Sequence, residues 1–504
     1  MMIIGLLRTG VKKLRSGLSL RKQSAMHFAC ILLIGICANP VGSAVAWSRS
    51  HQTLDSFSPI GPEGGALPFS QVLNLVLTNH PVLKQANNYL PIAKAELLVA
   101  RGAFDPNVSI YRSEKNEGGD KFYRSQNLDV YIPNYFGGGI SLSNPFSKSQ
   151  TGESGSLSVG AELPLLKGLI TDYRRTALGK AKINVDMSLA ERDQWINNLI
   201  RDVFTEYAQW LLAHESAQQI EGVLRLATER QRGLRKIYES GAGTSVDTLE
   251  TYVQWQQYKA KYDLAVWKKE KQRLMLSMYL WDGNGSPIEP VQTVFPTSDG
   301  LAWVDSMVVE AASFVNNPNQ TEILQPALRM SILKVESQQL EFKLAKNLML
   351  PSLNLQYGYY QPNRDWRYTP SAATQSTGFG LGFQSSLFLK QQRGQYRQLQ
   401  LSLQNAQLEV ENKQRNYTVK TAALFQEFQV QKSQYDQWLS VSQNQRKLYD
   451  MEARRLEAGD VNFFVLNTRE MRLLDLNLLA LEYKFQYQVS GISYLHYLGW
   501  LSRS

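Results

Sequence analysis

Histidines, cysteines and paired carboxylates most often carry chemistry, and in this sequence none of them stands at a working spacing. Beyond residue 46 there are four histidines, His51, His80, His214 and His496, and no two lie at metal-ligand spacing. His214-Glu215 opens like a helical zinc motif, but the residue four after His214 is Gln218 rather than a second histidine. His80 sits in the turn Asn79-His80-Pro81, where a structural role is the simpler reading. Both cysteines, Cys30 and Cys37, fall within the first 46 residues, so the rest of the chain offers no disulfide, thiolate metal site or cysteine nucleophile. There is no Gly-x-Ser-x-Gly motif and no Walker loop; Gly137-Gly138-Gly139 lacks the Lys-Ser/Thr that grips a phosphate. Acids such as Glu206, Glu215, Asp263 and Glu427 read as solvated or intersubunit charges. The expectation is a non-enzyme with no cofactor and no metal.

What remains is a chain organised by charge, proline and repeat. Of a net charge of +10, six positive residues (Arg8, Lys12, Lys13, Arg15, Arg21 and Lys22) lie in the first 46 with no acid among them. Ten minus six leaves +4 for the other 458 residues, which gives no reason to expect a nucleic-acid partner. The basic stretch precedes an apolar run, Phe28–Ala38, and the small-x-small site Ala44-Val45-Ala46, the order of parts in an export signal. The run is too short to span a bilayer as a mature helix. Residues 1–46 are therefore expected to be a signal peptide and 47–67 a flexible N-terminal segment.

All eighteen prolines fall outside 165–286 and 371–504, two stretches rich in helix formers. Each has one break: Ser240-Gly241-Ala242-Gly243-Thr244-Ser245 in the first, and Ala458-Gly459-Asp460-Val461-Asn462 in the second. Glycine can end a helix there, and Ser245 or Asn462 can cap the next. Each stretch thus reads as a helical hairpin, with first arms over 172–238 and 395–456 of ~100 and ~90 Å at 1.5 Å per residue. After the second break Met471, Leu474, Leu478, Leu481 and Phe485 follow the 3-4-3-4 spacing of a coiled-coil seam. Fifteen glutamines within 391–445 predict a wet helix face.

The chain is a duplication. Pro81 is followed 25 residues later by Pro106, with Arg101 five before it; Pro326 is followed 25 later by Pro351, with Lys346 five before it. Leu166-Lys167 stands six ahead of Tyr173-Arg174 as Leu389-Lys390 stands six ahead of Tyr396-Arg397. The repeats are expected over 68–281 (a helix, strands within 107–164, a hairpin over 172–281) and 301–499 (helices, strands within 352–388, a hairpin over 391–499), joined by a linker, 282–300. Strand patterning is plainest in Ser352–Tyr359, in Gly378–Leu387, and in Leu157, Val159, Ala161 and Leu163 alternating with Ser156, Ser158, Gly160 and Glu162. Asn107–Tyr111 fits less well. The polar faces carry Gly, Ser, Asn and Gln, as a water-filled lumen would, which nominates Asn354, Gln356, Gly380, Gly382 and Gln384 as lumen-facing. Tyr357, Tyr359, Tyr360, Trp366 and Tyr368 cluster near a strand end like an interfacial belt. Four such strands cannot close a membrane barrel, so spanning strands require several chains to pool them.

In these residues the chain resembles the TolC-like outer-membrane factor family over about 68–500. The resemblance rests on the duplicated Asn-His-Pro-x-Leu and Pro-x-Leu segments, Leu163-Pro164-Leu165-Leu166-Lys167-Gly168 before a long helix, and the two tips. It implies an α+β membrane protein: a homotrimer with four strands per subunit in a shared twelve-stranded barrel, continued by a periplasmic coiled-coil tunnel. It implies passive conduction across the outer membrane, as the exit duct of a tripartite efflux pump or type I secretion system. Its partners would be outer-membrane lipid, a periplasmic adaptor and an inner-membrane transporter. The tips, with Gly241, Gly243, Thr244, Asp247, Gly459, Asp460 and Asn462, would form the gate and adaptor contact. Val465 and Thr468 stand where better-known members carry acids past the second tip, and only Asp460 is acidic there. The step from Pro106 to Leu163 is 57 residues against 35 from Pro351 to Ser386, room for an added hairpin around Leu128–Ile132 and Gly137–Gly139. The rival readings are a secreted periplasmic coiled-coil adaptor, which leaves the duplicated strands unexplained, and a secreted α/β enzyme, which lacks a catalytic constellation.

Overall fold

The computed structural model describes residues 58–60, 65–117, 120–149, 152–315, 325–363, 376–458, 460 and 463–503, within one compact unit, Phe57–Ser504. The expected signal peptide lies outside the described residues.

The first repeat begins with α1 (Phe69–Asn79) and α2 (Pro81–Gly102), and the second with α5 (Asp299–Val315) and α6 (Pro326–Leu348). Pro81 and Pro326 each open their helix, where the missing N–H costs nothing and the fixed φ suits the first turn. His80 caps α2: its Nδ1 accepts from the Val82 N–H at 3.2 Å. Burial holds its pKa below the usual value, keeping the imidazole in the neutral form that can accept. Strands β3 (Asn107–Glu117), β4 (Asp120–Pro133), β5 (Gly139–Ser149) and β6 (Gly152–Pro164) follow α2; β9 (Ser352–Asn363) and β10 (Ser376–Gln384) follow α6. Then come the hairpins, α3 (Tyr173–Glu239) with α4 (Ser245–Ser277), and α7 (Lys390–Glu457) with α8 (Phe463–Leu498). The 67 residues of α3 and 68 of α7 make rods of ~100 Å.

Three expectations are corrected. The sheet has six strands among the described residues, ordered β10-β9-β6-β5-β4-β3 and antiparallel throughout, where four were expected. The room between Pro106 and Leu163 is filled by β4 and β5. Leu387 lies beyond the end of β10 and is 92% exposed, because the ladder stops at Gln384, opposite Ser352. Nor are the N-terminal segment and the linker mere tethers. β1 (Ser58–Ile60) pairs in parallel with β7 (Ile288–Pro290), and β2 (Ala66–Leu67) with β8 (Phe295–Pro296).

These short pairs belong to a clasp around the middle of α3, where the main apolar core sits. Phe69, Val72 and Val76, at helical spacing on α1, pack with Ile200, Val203, Phe204, Tyr207 and Trp210 of α3 and with Ile492, Leu495 and Leu498 of α8. Polar groups buried with them are satisfied. The Tyr207 hydroxyl donates to the Leu67 carbonyl at 2.8 Å and accepts from the Thr297 N–H at 2.9 Å. Asp299, at the start of α5, accepts from the Phe69 N–H at 3.2 Å and so caps a helix 230 residues away. Arg273, nearly buried, joins the end of α4 to β7 through Glu289 at 2.6 Å, and Glu270 of its own helix meets the same guanidinium at 2.6 Å.

Away from the clasp the long helices are half-covered. Only Ala406, Thr421, Phe428, Ser442 and Gln445 are buried along α7. Its exposed Leu401, Leu408, Val419, Val430, Val441 and Leu448 recur at steps of 7 or 11 residues, which keeps all six on one face at ~100° per residue. On α4, Val246, Leu249, Val253, Leu264, Trp267 and Leu274 form a second exposed stripe. The seam expected on α8 is partly met. Leu474 is buried against Ala217, Ile220 and Tyr258, with Leu478 packed beside it, but Met471 is 43% exposed. Leu473, Leu476 and Ala480 are buried instead, because α8 packs on α3 as well as α7 and so needs a wider apolar face than a two-helix seam.

Candidate functional site: a two-faced sheet and two helical tips

The register of the sheet sorts its side chains into two faces. One carries Val108 and Ile110 of β3, Leu128, Val130 and Ile132 of β4, and Ile140 and Leu142 of β5. It continues through Leu157, Val159, Ala161 and Leu163 of β6, Leu353, Leu355, Tyr357 and Tyr359 of β9, and Phe379, Leu381 and Phe383 of β10. Most are more than a third exposed, Ile110 and Phe379 at 73%. Away from the helices this face turns polar with Arg112, Glu114 and Arg124, where Arg124 Nε lies 2.7 Å from Glu114. Asn107–Tyr111 read as a weak strand because Tyr111, opposite Asn127, puts an aromatic residue on the other face, and charge follows from Arg112 onward.

The opposite face is wet in character: Ser109, Asn127, Asp129, Ser141, Ser143, Ser156, Ser158, Gly160 and Glu162. The five residues nominated as lumen-facing come together here. Gln356 lies opposite Gly380, Asn354 opposite Gly382, and Gln384 opposite Ser352, all on the Glu162 side. Asn354 Nδ2 donates to Glu162 Oε1 at 2.9 Å, and Ser143 donates to Asp129. Where this face meets the helices, Glu162, Lys167, Asn347, Asn354 and Gln384 line a cavity of about 360 Å³. Tyr357 and Tyr359 share the apolar face and Tyr360 the other; Trp366 and Tyr368 lie outside the described residues.

The first tip is set by backbone chemistry. α3 ends in a Schellman motif: the Gly241 N–H bonds the Tyr238 carbonyl at 2.9 Å and the Ala242 N–H bonds that of Ile237 at 3.1 Å. This puts residue 241 at φ +81°, a conformation open to glycine and strained for most others. α4 is capped by Thr244, not Ser245. Thr244 Oγ1 accepts from the Asp247 N–H at 3.1 Å and donates to Asp247 Oδ2 at 2.6 Å, a reciprocal box. The carboxylate nominated for gate closure is therefore engaged within its own tip. Gly241, Thr244 and Asp247 are exposed and Gly243 half-buried, with exposed Val246 and Leu249 beside them. At the second tip the exposed Asp460 donates its N–H to the Arg455 carbonyl at 2.9 Å. Gly459 and Asn462 lie outside the described residues.

Between the tips and the clasp, α8 is tied to α3 by polar pairs that sequence reasoning missed. Arg230 reaches Glu470 at 2.7 Å and Asn467 at 3.0 Å, and Glu470 and Asn467 are almost wholly buried. Beside them burial, with Glu470 contributing, pushes the Tyr258 hydroxyl pKa up to about 12, so it stays protonated. Further along, Asn477 donates to Gln219 at 3.3 Å and accepts from Ser442, and Lys484 meets Glu215 at 2.7 Å. Pairs some 240 residues apart leave no spacing signal in one sequence. The exposed Val246-Leu249-Val253 run did leave one, at 3-4 spacing. No group of three or more His, Cys, Asp or Glu able to hold a metal occurs among the described residues, and no described helix is long and apolar enough to cross a membrane.

Residues 72–265 match the family model described as outer membrane efflux protein. No curated protein matches the sequence. Several solved structures share the fold. The Campylobacter jejuni CmeC outer membrane channel aligns at 16% identity over 85% of each chain, with a TM-score of 0.58. The open-state MtrE outer membrane channel of Neisseria gonorrhoeae aligns at 13% identity over 89% of this chain and 94% of that one, again at 0.58. The outer membrane protein VceC of Vibrio cholerae aligns at 12% identity over 85% and 95%, also at 0.58. The family match in the first repeat and the folds spanning both agree with the resemblance carried by the duplicated motifs.

Proposed function

We propose that this chain is the outer-membrane exit duct of a tripartite efflux pump or type I secretion system, working as a homotrimer. Substrate enters from an inner-membrane transporter, passes the helical tips when they part, and leaves through the barrel. The observation that carries this reading is the two-faced sheet. An antiparallel wall, apolar on one side and lined by Ser, Gly, Asn and Gln on the other, with two edge strands that have no further strand partner among the described residues, suits a barrel wall shared between copies. The exposed stripes on α4 and α7 add to it, since a ~100 Å helix with one covered side needs a neighbour on the other. An adaptor has no use for such a sheet.

The tips are the proposed gate and adaptor contact. They comprise Gly241, Gly243, Thr244, Asp247 and Asp460 at or beside the described hairpin turns, with Gly459 and Asn462 of the second break in the sequence, and the exposed Val246 and Leu249 offer apolar surface for an adaptor hairpin. Asn354, Gln356, Gly380, Gly382 and Gln384 are the proposed lumen lining. Conduction needs no catalytic group, and the transporter supplies the energy. Fractionation of cells making the full chain, then detergent extraction and mass determination, tests the reading. A trimer in the outer membrane is expected. A soluble periplasmic monomer would sink the duct and favour the adaptor.

A further inference from the structure

The sheet contributes six strands where the family pattern expects four, and the two additional strands behave as wall. On β4 and β5, Leu128, Val130, Ile132, Ile140 and Leu142 extend the apolar rows of their neighbours and are partly exposed, while Ser125, Asn127, Asp129, Ser141 and Ser143 extend the polar rows. A hairpin hanging in solvent has no reason to keep one apolar face in register with a barrel wall. The β4–β5 turn is also built into the base. Asn134 Oδ1 accepts from the N–H groups of Phe136 and Gly138, and Tyr135 stacks on Phe104 at 4.4 Å. A Cβ on Gly137 would collide with the Gly168 carbonyl, and one on Gly138 with that of Glu162, so the glycine run lets this turn press against the β6–α3 connection. The triglycine that lacks phosphate-binding chemistry has this steric use instead.

The outer edges are β3 and β10. With six alternating strands they run in opposite directions, so β10 of one copy can pair antiparallel with β3 of the next. β10, Ser-Thr-Gly-Phe-Gly-Leu-Gly-Phe-Gln, carries neither proline nor charge, the usual devices that protect a sheet edge, and its Phe379, Leu381 and Phe383 are exposed. From these observations we infer that three copies close an eighteen-stranded barrel through β10–β3 pairing, half as many strands again as the twelve the family pattern implies. At ~4.8 Å between strands and ~40° of tilt, eighteen strands enclose a ring about 36 Å across between backbones, against about 24 Å for twelve. The inference rests on the trimeric duct.

Single-particle imaging of the full chain extracted from outer membranes reads the strand count. Eighteen strands with β10 beside the next copy's β3 are expected. A three-copy ring of twelve strands, with β4 and β5 outside the wall, would overturn the inference and leave the duct standing; a soluble monomer would remove both. Disulfide trapping gives a second readout. Ser143→Cys with Ser158→Cys, which face each other on β5 and β6, should cross-link within one chain in the membrane. Gly380→Cys should link to the next copy when tested against Ser109→Cys, Tyr111→Cys and Ser113→Cys. A β3–β6 link between Ser109→Cys and Ser158→Cys would require β4 and β5 to leave the wall, and would overturn the inference.

Discussion

At the scale of single residues, two partly buried groups make predictions of opposite kinds. Arg230 neutralises Glu470 where water is scarce, so Arg230→Ala strands a buried carboxylate and should cost ~3 kcal/mol or more. Because this pair ties α8 to α3 near the tips, the same change should raise single-channel conductance and sensitivity to a large antibiotic. Unchanged conductance would remove Arg230 from the gate. His496 works through protons. Burial, and then the nearby Arg201 guanidinium, push its pKa down to about 4 from 6.5, and its Nε2 lies 2.7 Å from Asn198 Oδ1. Between those values the unfolded chain binds a proton that the folded one refuses, so stability is lost as pH falls through that window. His496→Asn should shrink the drop in melting temperature between pH 7 and pH 4.5; an undiminished drop would assign the acid sensitivity elsewhere.

At the scale of elements, the first tip is a turn with a cap. Thr244→Ala removes the side chain that receives the Asp247 N–H and should cost α4 about 1 kcal/mol, read as faster amide exchange at the residues just after the tip. Asp247→Ala takes away the other half of the box and should loosen the closed tips; unaltered conductance and antibiotic uptake would count against its gate role. How much of this was legible in the sequence depended on range. Proline placement, glycine breaks and period-two alternation are local, and they marked both hairpins, both tips and the faces of β6 and β9. The strands of β4 and β5 were only suspected, because Tyr131 interrupts the alternation of the first and Asn144 and Pro145 that of the second, and their rows become regular only beside their neighbours. The clasp was read as slack chain because strands of two or three residues leave too little pattern, and their partners lie about 230 residues away. Asp299 capping α1 and Arg230 pairing with Glu470 are long-range in the same way, and α8 showed one seam where it packs on two neighbours.

At the scale of the whole molecule, the exposed stripes dictate what the chain does alone. Val430 lies midway along the α7 stripe, so Val430→Asp should place a charge in the proposed contact between copies. Three-copy particles are expected to give way to monomers with the helices retained; an intact trimer by native mass would show that the stripe faces lipid-free solvent instead. The seam between β6 and β9 has a further consequence, for the order in which the protein can be made. Val159 pairs with Tyr359, 200 positions later, so four strands are synthesised long before the strand that joins them. Closing so long a loop is slow, and an unfinished sheet edge invites association with other chains. During export the nascent wall must be shielded until β9 and β10 arrive. Depletion of periplasmic holding chaperones should therefore harm this chain sooner than a barrel of consecutive hairpins.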